Sequence, residues 1–253
     1  MDYLDYQQLG KIGARQFRSR KPFPWANPAG ALTEAAFHHL VEHLPDLSLF
    51  ERRFGYSRDF GQKGHDRYSL EYDEGLAIHP GWHEFVAELH GHRYRQFLRR
   101  LYGFRPMRLS FHWHYTPTSC AVSPHCDSRA KIGSHIFYLN THEDWKPEWG
   151  GQTLVLDDHG QLNCKSSPGF EDFNETTVAE SIGNRSLIFR RTANSWHGVK
   201  SINCPEDRMR KVFIVVIERV RPLKTIRNFI RGEKSAKQPA ASATVETRPS
   251  PPQ

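Results

Sequence analysis

The chain has 253 residues, 38% hydrophobic and 25% charged, with 16 Phe, 9 Tyr and 6 Trp. That length suits one large domain or two small ones, and the aromatic supply excludes a chain disordered throughout. No apolar run approaches the roughly 18 residues of a membrane helix, and 35 basic against 28 acidic residues leave a net charge of +7.

The start, Met1-Asp2-Tyr3-Leu4-Asp5-Tyr6, carries two acids and no apolar h-region, so a cytoplasmic location without a secretory signal is expected. Cys120, Cys126, Cys164 and Cys204 lie 6, 38 and 40 positions apart. Those spacings match neither a disulfide framework nor a paired zinc motif, and the four read as free thiols.

The first third reads as helix and loop. Thr33 followed by Ala36, Phe37, Leu40, Val41 and Leu44 gives an amphipathic helix with Thr33 as N-cap and Pro45 as stop. A second helix is predicted over 82–102, from Phe85, Val86, Leu89, Tyr94, Phe97, Leu98 and Leu101. The Gly- and charge-rich stretch between them, 54–81, shows no clear period.

From Met107 the period becomes two. Leu109, Phe111, Trp113 and Tyr115 alternate with Arg108, Ser110, His112 and His114, and further strands are predicted over 134–140, 152–157, 186–190 and 211–220. Turn signals at Thr116-Pro117, Trp149-Gly150-Gly151 and Gly183-Asn184 separate them. Successive strands without intervening helices imply an antiparallel sandwich or barrel. The polar segment 163–177, which holds Gly169, is expected to be a mobile lid. Near the end, Leu223, Ile226, Phe229 and Ile230 predict a short amphipathic helix over 222–232. The segment 233–253, with thirteen Ser, Thr, Ala or Pro and no aromatic, is expected to be disordered. The expected organisation is a helical and loop layer over 1–104 packed on a β core over 105–221, followed by that helix and tail. From Pro205 to Lys237 ten basic residues face four acidic ones, a basic surface that reads as a solvated face.

His125-Cys126-Asp127 lies in the β region, and Ser195-Trp196-His197-Gly198 follows seventy residues after His125. On extended backbone the side chains of an HxD unit point to one face, so both can touch one ion. A second histidine from a later strand would complete two imidazoles and one carboxylate on one side of a metal, an arrangement suited to non-haem Fe(II). Taken alone HxD is a weak signal in a chain with 15 histidines and 28 acids.

The surrounding text strengthens it. Tyr115, Ser123-Pro124-His125-Cys126-Asp127, Ile136-Phe137-Tyr138-Leu139-Asn140, Trp149-Gly150-Gly151-Gln152-Thr153-Leu154, Asn194-Ser195-Trp196-His197-Gly198-Val199 and 208–216 follow one another in this order. Together they resemble the Fe(II)/2-oxoglutarate-dependent dioxygenases, in particular the prolyl-hydroxylase-like branch. The resemblance implies a mainly β fold with N-terminal helices around a double-stranded β-helix, the jelly-roll or cupin-like core. It also implies that His125, Asp127 and His197 are the iron ligands. A retained Asp127 separates the chain from the related halogenases, which have a small residue there.

By the same resemblance 2-oxoglutarate and O2 are co-substrates, ascorbate is a stimulant, and a C–H bond of a small molecule or amino-acid side chain is hydroxylated as succinate and CO2 form. An arginine would hold the far carboxylate of 2-oxoglutarate, since a guanidinium engages a carboxylate with two hydrogen bonds. Arg208 and Arg210 share strand parity. Arg210 is favoured because an apolar residue, Phe213, stands three positions on, as is common in the family. Tyr115 and Tyr138 are further candidates to bind 2-oxoglutarate, and Asn140 and Trp196 are candidates to line the pocket. Gly150 and Gly151 read as a turn without chemical role, and His112 and His114, which lack further nearby ligands for zinc, as structural or exposed. A nucleic-acid substrate is not expected, because the related demethylases carry arginines six apart and position 214 is Ile214. A non-catalytic cupin-like binding module and a peptidyl, prolyl-type hydroxylase are the alternatives.

Overall fold

The computed structural model describes residues 1–220 apart from 57–58 and 104–105. The helix expected over 222–232 and the tail over 233–253 lie outside the described residues. Residues Met1–Val220 form one compact unit.

Five helices precede the main β region: α1 (Tyr6–Gly10), α2 (Ala14–Ser19), α3 (Glu34–Glu42), α4 (Pro80–His90) and α5 (His92–Tyr102). Thr33 caps α3 as its side chain accepts from the Ala36 N–H (3.2 Å). The helix expected over 82–102 is instead two, divided at Gly91. There the backbone is extended, and a Cβ would lie 2.8 Å from the Glu88 carbonyl oxygen. The apolar period continues across this break because both helices pack on the same surface, so periodicity alone does not expose it.

The strands are β1 (Trp25–Ala26), β2 (Glu51–Arg53), β3 (Arg67–Glu71), β4 (Met107–Thr116), β5 (Val122–His125), β6 (Lys131–Tyr138), β7 (Thr153–Asp157), β8 (Glu175–Ala179), β9 (Ser186–Arg190), β10 (His197–Val199) and β11 (Arg210–Arg219). They form a seven-stranded sheet, ordered β1-β9-β6-β11-β4-β3-β2, and a four-stranded sheet, ordered β5-β10-β7-β8, with every pairing antiparallel. The two sheets with their N-terminal helices make a double-stranded β-helix of the jelly-roll type. The predicted strands of the core are all present. Additional short strands, β1 to β3, join the large sheet from the N-terminal third, where the sequence reads as helix and loop. They are two to five residues long, too short to show a period.

Register fixes the two faces of the large sheet. Arg210 pairs with Thr116, Val212 with both His114 and Tyr138, and Ile214 with His112 and Ile136. These residues face the small sheet. Odd-numbered Phe111, Trp113, Phe137, Phe213 and Val215 face the other way, into the core shared with Trp82 and Phe85 of α4. Trp82 lies 5.0 Å from Trp113 and 5.2 Å from Phe213 between ring centroids, at aromatic contact distance.

Cys126 and Cys164 form a disulfide, whereas Cys120 and Cys204 are free, which corrects the reading of four thiols. Their 38-residue separation carries no local signal, and the pair meets only because the segment after β7 folds back over the end of β5. That segment is also less loop-like than the expected lid, since its last part forms β8 against β7. Among the described residues no helix is long and apolar enough to cross a membrane.

Candidate metal and co-substrate site

Between the sheets lies a cavity into which β5, β10 and the turn after β5 bring His125, His197 and Asp127. One ligand atom from each lies within 4.8 Å of the others. The pairing of His197 with His125 across β10 and β5 makes this meeting a matter of register, not of sequence distance. All three side chains are buried or nearly so.

Local hydrogen bonds aim the donors. His125 Nδ1 lies 3.0 Å from the Ser123 carbonyl and His197 Nδ1 lies 3.0 Å from the Ser195 carbonyl. A carbonyl only accepts, so Nδ1 carries the proton in each ring and Nε2 is the nitrogen with which a metal would be bound. Lys131 Nζ donates to Asp127 Oδ1 (2.7 Å) and the Ser134 hydroxyl donates to Oδ2 (3.1 Å). Arg191 donates to the Asp127 backbone carbonyl (3.0 Å), fixing the turn. Burial by itself raises the Asp127 carboxyl, but Lys131, His197 and His125 outweigh it and hold the group well below the usual carboxylate range. The site therefore presents an ionised carboxylate and two imidazoles, a donor set that fits Fe(II) with open positions opposite.

At the other end of the cavity Arg210, the first residue of β11, is buried. Its guanidinium donates to the Gly151 carbonyl and to Thr153 Oγ1 (3.2 Å), and lies 5.5 Å from the centre of the Tyr138 ring. Tyr138 donates its hydroxyl to the same Thr153 oxygen (2.8 Å). Burial works against the arginine's charge, yet among the described residues no carboxylate forms an ion pair with it. A buried guanidinium with only neutral partners is a receptor for an anion.

The structure separates the remaining candidates. Arg208 lies in the turn before β11, exposed and ion-paired with Asp207 (3.3 Å), away from the cavity. Tyr115 is also placed elsewhere. It pairs with Lys211 on the opposite sheet face from Arg210, stacks on Phe50 (4.3 Å between centroids) and points its hydroxyl at the Pro45 carbonyl (3.4 Å). Its parity with Trp113 in the sequence already carries that signal. Asn140 is a structural bridge, donating to the Met209 carbonyl and accepting from the Lys211 N–H. Trp196 is packed among Leu154, Leu156 and Phe173.

Gly151 has a larger part than a turn. Its φ is +85°, and a Cβ would lie 3.1 Å from the Arg210 side chain and 3.2 Å from Trp145. The missing side chain makes room for Arg210 while the carbonyl binds it. His65, Arg67, His114, Lys131, Ser134 and Thr153 also line the cavity. Sequence reasoning missed Thr153 as a binding residue, although it stands in the motif that ends in Leu154. His114 is the polar partner of the Tyr115 alternation, and burial chiefly holds its ring well below the usual histidine range, aided by Arg67, His112, Lys131 and Arg210.

Fold and cluster define an oxygenase core with a two-histidine, one-carboxylate metal centre. Residues 110–216 match the 2OG-Fe(II) oxygenase superfamily. A Pseudomonas putida prolyl-4-hydroxylase is similar in structure at a TM-score of 0.57 and 14% identity, covering 82% of this chain and 97% of that one. A Trichoplax adhaerens prolyl hydroxylase, solved with a hypoxia inducible factor oxygen degradation domain peptide, gives 0.59 and 11%, covering 84% and 90%. The non-heme alpha ketoglutarate dependent carbocyclase SnoK from nogalamycin biosynthesis gives 0.58 and 14%, covering 96% and 98%. No curated protein matches the sequence. The matched region, which carries the cluster, is that of an Fe(II)/2-oxoglutarate oxygenase, an oxidoreductase of the dioxygenase type, and the chain has the fold of these prolyl-hydroxylase-like structures.

Proposed function

We propose that His125, Asp127 and His197 hold Fe(II), that Arg210 anchors the far carboxylate of 2-oxoglutarate, and that the enzyme hydroxylates a C–H bond of a small molecule or amino-acid side chain. The single observation that carries the assignment is the pairing of a three-donor cluster with a buried arginine that has no carboxylate partner among the described residues, at two ends of one cavity. Bound iron would supply O2 activation coupled to decarboxylation of 2-oxoglutarate to succinate and CO2.

The chain's own residues do the rest. Ser123 and Ser195 carbonyls set the ring orientations, while Lys131 helps to keep Asp127 ionised and Ser134 directs it. Thr153 and Tyr138 hold the guanidinium fork, and Val212, Ile214 and Ile136 line the cavity with apolar surface that keeps water out. Arg67 and Lys131 add positive charge around it, favouring anionic co-substrate. Support for an amino-acid side chain or a small molecule as substrate comes from neighbours of the same fold named as a prolyl-4-hydroxylase and as a carbocyclase of nogalamycin biosynthesis.

The test is succinate release from Fe(II)-loaded protein supplied with 2-oxoglutarate and O2. Wild type should show slow uncoupled turnover, and His125→Ala should abolish it. If neither Fe(II) nor 2-oxoglutarate binds the wild type, the cavity belongs to a non-catalytic binding module instead.

A further inference from the structure

A second cluster of possible ligands lies in the helical layer, far from any role in the oxygenase reading and independent of it. His39 stands on α3 and His43 one turn later at its C-cap, the spacing that puts two helical side chains on one side. His79, the N-cap of α4, meets them from the neighbouring helix. Ring centroids are 3.8 Å apart for His43 and His79, 4.7 Å for His39 and His43, and 5.0 Å for His39 and His79. One nitrogen from each ring lies within 4.8 Å of the other two, and all three residues are half-buried, within reach of a hydrated ion.

The surroundings favour convergence. His43 Nδ1 lies 2.8 Å from the His39 carbonyl, so its proton is on Nδ1 and the Nε2 lone pair is left for a ligand, the same device that aims His125 and His197. The Trp82 indole N–H donates to the His43 carbonyl (2.8 Å), locking that end of α3 against α4. At Gly81 a Cβ would lie 2.6 Å from His39 Nε2 and 3.2 Å from His79 Nδ1. Any other residue there would fill the space into which two of the rings point.

We propose that His39, His43 and His79 form a second metal site, for Zn(II) or a similar borderline divalent transition ion, that clamps the end of α3 to the start of α4. Three imidazoles without a carboxylate disfavour Mg2+ and Ca2+, which take oxygen ligands, and match the ligand set of a four-coordinate zinc whose last position is water. Zn–N bonds of about 2.0–2.1 Å place tetrahedral ligands roughly 3.4 Å apart, so the rings close by up to about 1.4 Å on binding. His79 exchanges one interaction for another: its Nδ1 now accepts the Gly81 N–H (3.1 Å), and that neutral cap bond gives way to coordination. The clamp bears on the sheet, because α4 carries Trp82 and Phe85 against Trp113 and Phe213.

The experiment uses the full chain with the cavity site removed by His125→Ala and Asp127→Ala together. Zinc is titrated against a chromophoric chelator, and Co(II) absorption reports coordination number. One zinc per chain, the intense visible bands of four-coordinate cobalt and a zinc-dependent rise in melting temperature are expected. Adding His43→Gln should weaken zinc binding by about 100-fold or more, with circular dichroism showing that the variant is folded, and His79→Gln gives the same test from the other helix. The proposal is overturned if the double variant binds zinc no more tightly than its His43→Gln or His79→Gln derivatives, or if cobalt shows only six-coordinate bands.

Discussion

The two faces of the seven-stranded sheet are made by the same strands in the same register, yet they do opposite work. Odd positions of β4, β6 and β11 present Phe111, Trp113, Phe137 and Phe213 to the helices, a dry aromatic layer. Even positions present His114, Thr116, Ser134, Tyr138 and Arg210 to the small sheet and the metal cluster. A period of two therefore divides stability from chemistry within single strands: a step of one residue exchanges a core position for a site position.

The largest effects should separate the faces most sharply. Asp127→Ala should lower 2-oxoglutarate turnover about a thousandfold or more per folded molecule, and because it leaves Lys131 without its ionised partner it should also lower the melting temperature. Phe213→Ala, on the dry face, should cost about 3–5 kcal/mol in urea unfolding with little change in the KM for 2-oxoglutarate of the folded fraction. A Phe213 variant with normal stability and poor co-substrate binding would break the comparison.

Next comes Arg210→Ala, which should raise the 2-oxoglutarate KM about 100-fold through loss of a charge-assisted pair, measured by succinate release. Arg208→Ala, one alternation earlier but outside the strand, should change it less than about twofold. Equal losses in the two variants would contradict the register.

The acid limb of stability tests the dry face again. His135 pairs with Val215 on that face, and burial pushes its ring down to about 3 between the hydroxyls of Tyr94 (3.0 Å) and Ser186 (3.1 Å). The unfolded chain protonates this histidine near 6.5 and the folded one does not. Stability is thus full above that value and falls as pH drops from about 6.5 to 3, by at most about 1.4 kcal/mol per pH unit from this group. His135→Asn should flatten that slope in urea titrations between pH 7 and 4.

The smallest contrast is between two tyrosines. Tyr138→Phe removes a hydroxyl bonded beside Arg210 and should raise the 2-oxoglutarate KM about fivefold. Tyr115→Phe removes only a long bond to Pro45 on the far face, and should leave KM unchanged with a stability cost under about 1 kcal/mol.

Much of the core was legible because antiparallel strands write their burial as alternation. The strand at 186–190 has the observed bounds, and the strand containing Leu109, Phe111, Trp113 and Tyr115 buries the expected side. The HxD spacing likewise places two donors on one face wherever the backbone is extended. The same alternation, applied to Tyr115, assigns it to the core with Trp113, a consequence outweighed by its proximity to the motif. Parity could not separate Arg208 from Arg210, because what distinguishes them is where the turn ends and β11 begins.

The sequence by itself determined the β class, the helical N-terminal layer and the residue types needed for an Fe(II) centre, since these rest on local period and local chemistry. Tertiary structure alone decided that His197 pairs with His125 across β10 and β5, that Gly151 and Thr153 cradle Arg210, that Cys126 meets Cys164, and that His79 joins His39 and His43. Each of these links segments between 36 and 72 residues apart in the chain. Contacts of that range are set by the packing of whole elements, and local sequence period contains no information about which distant element will be the neighbour.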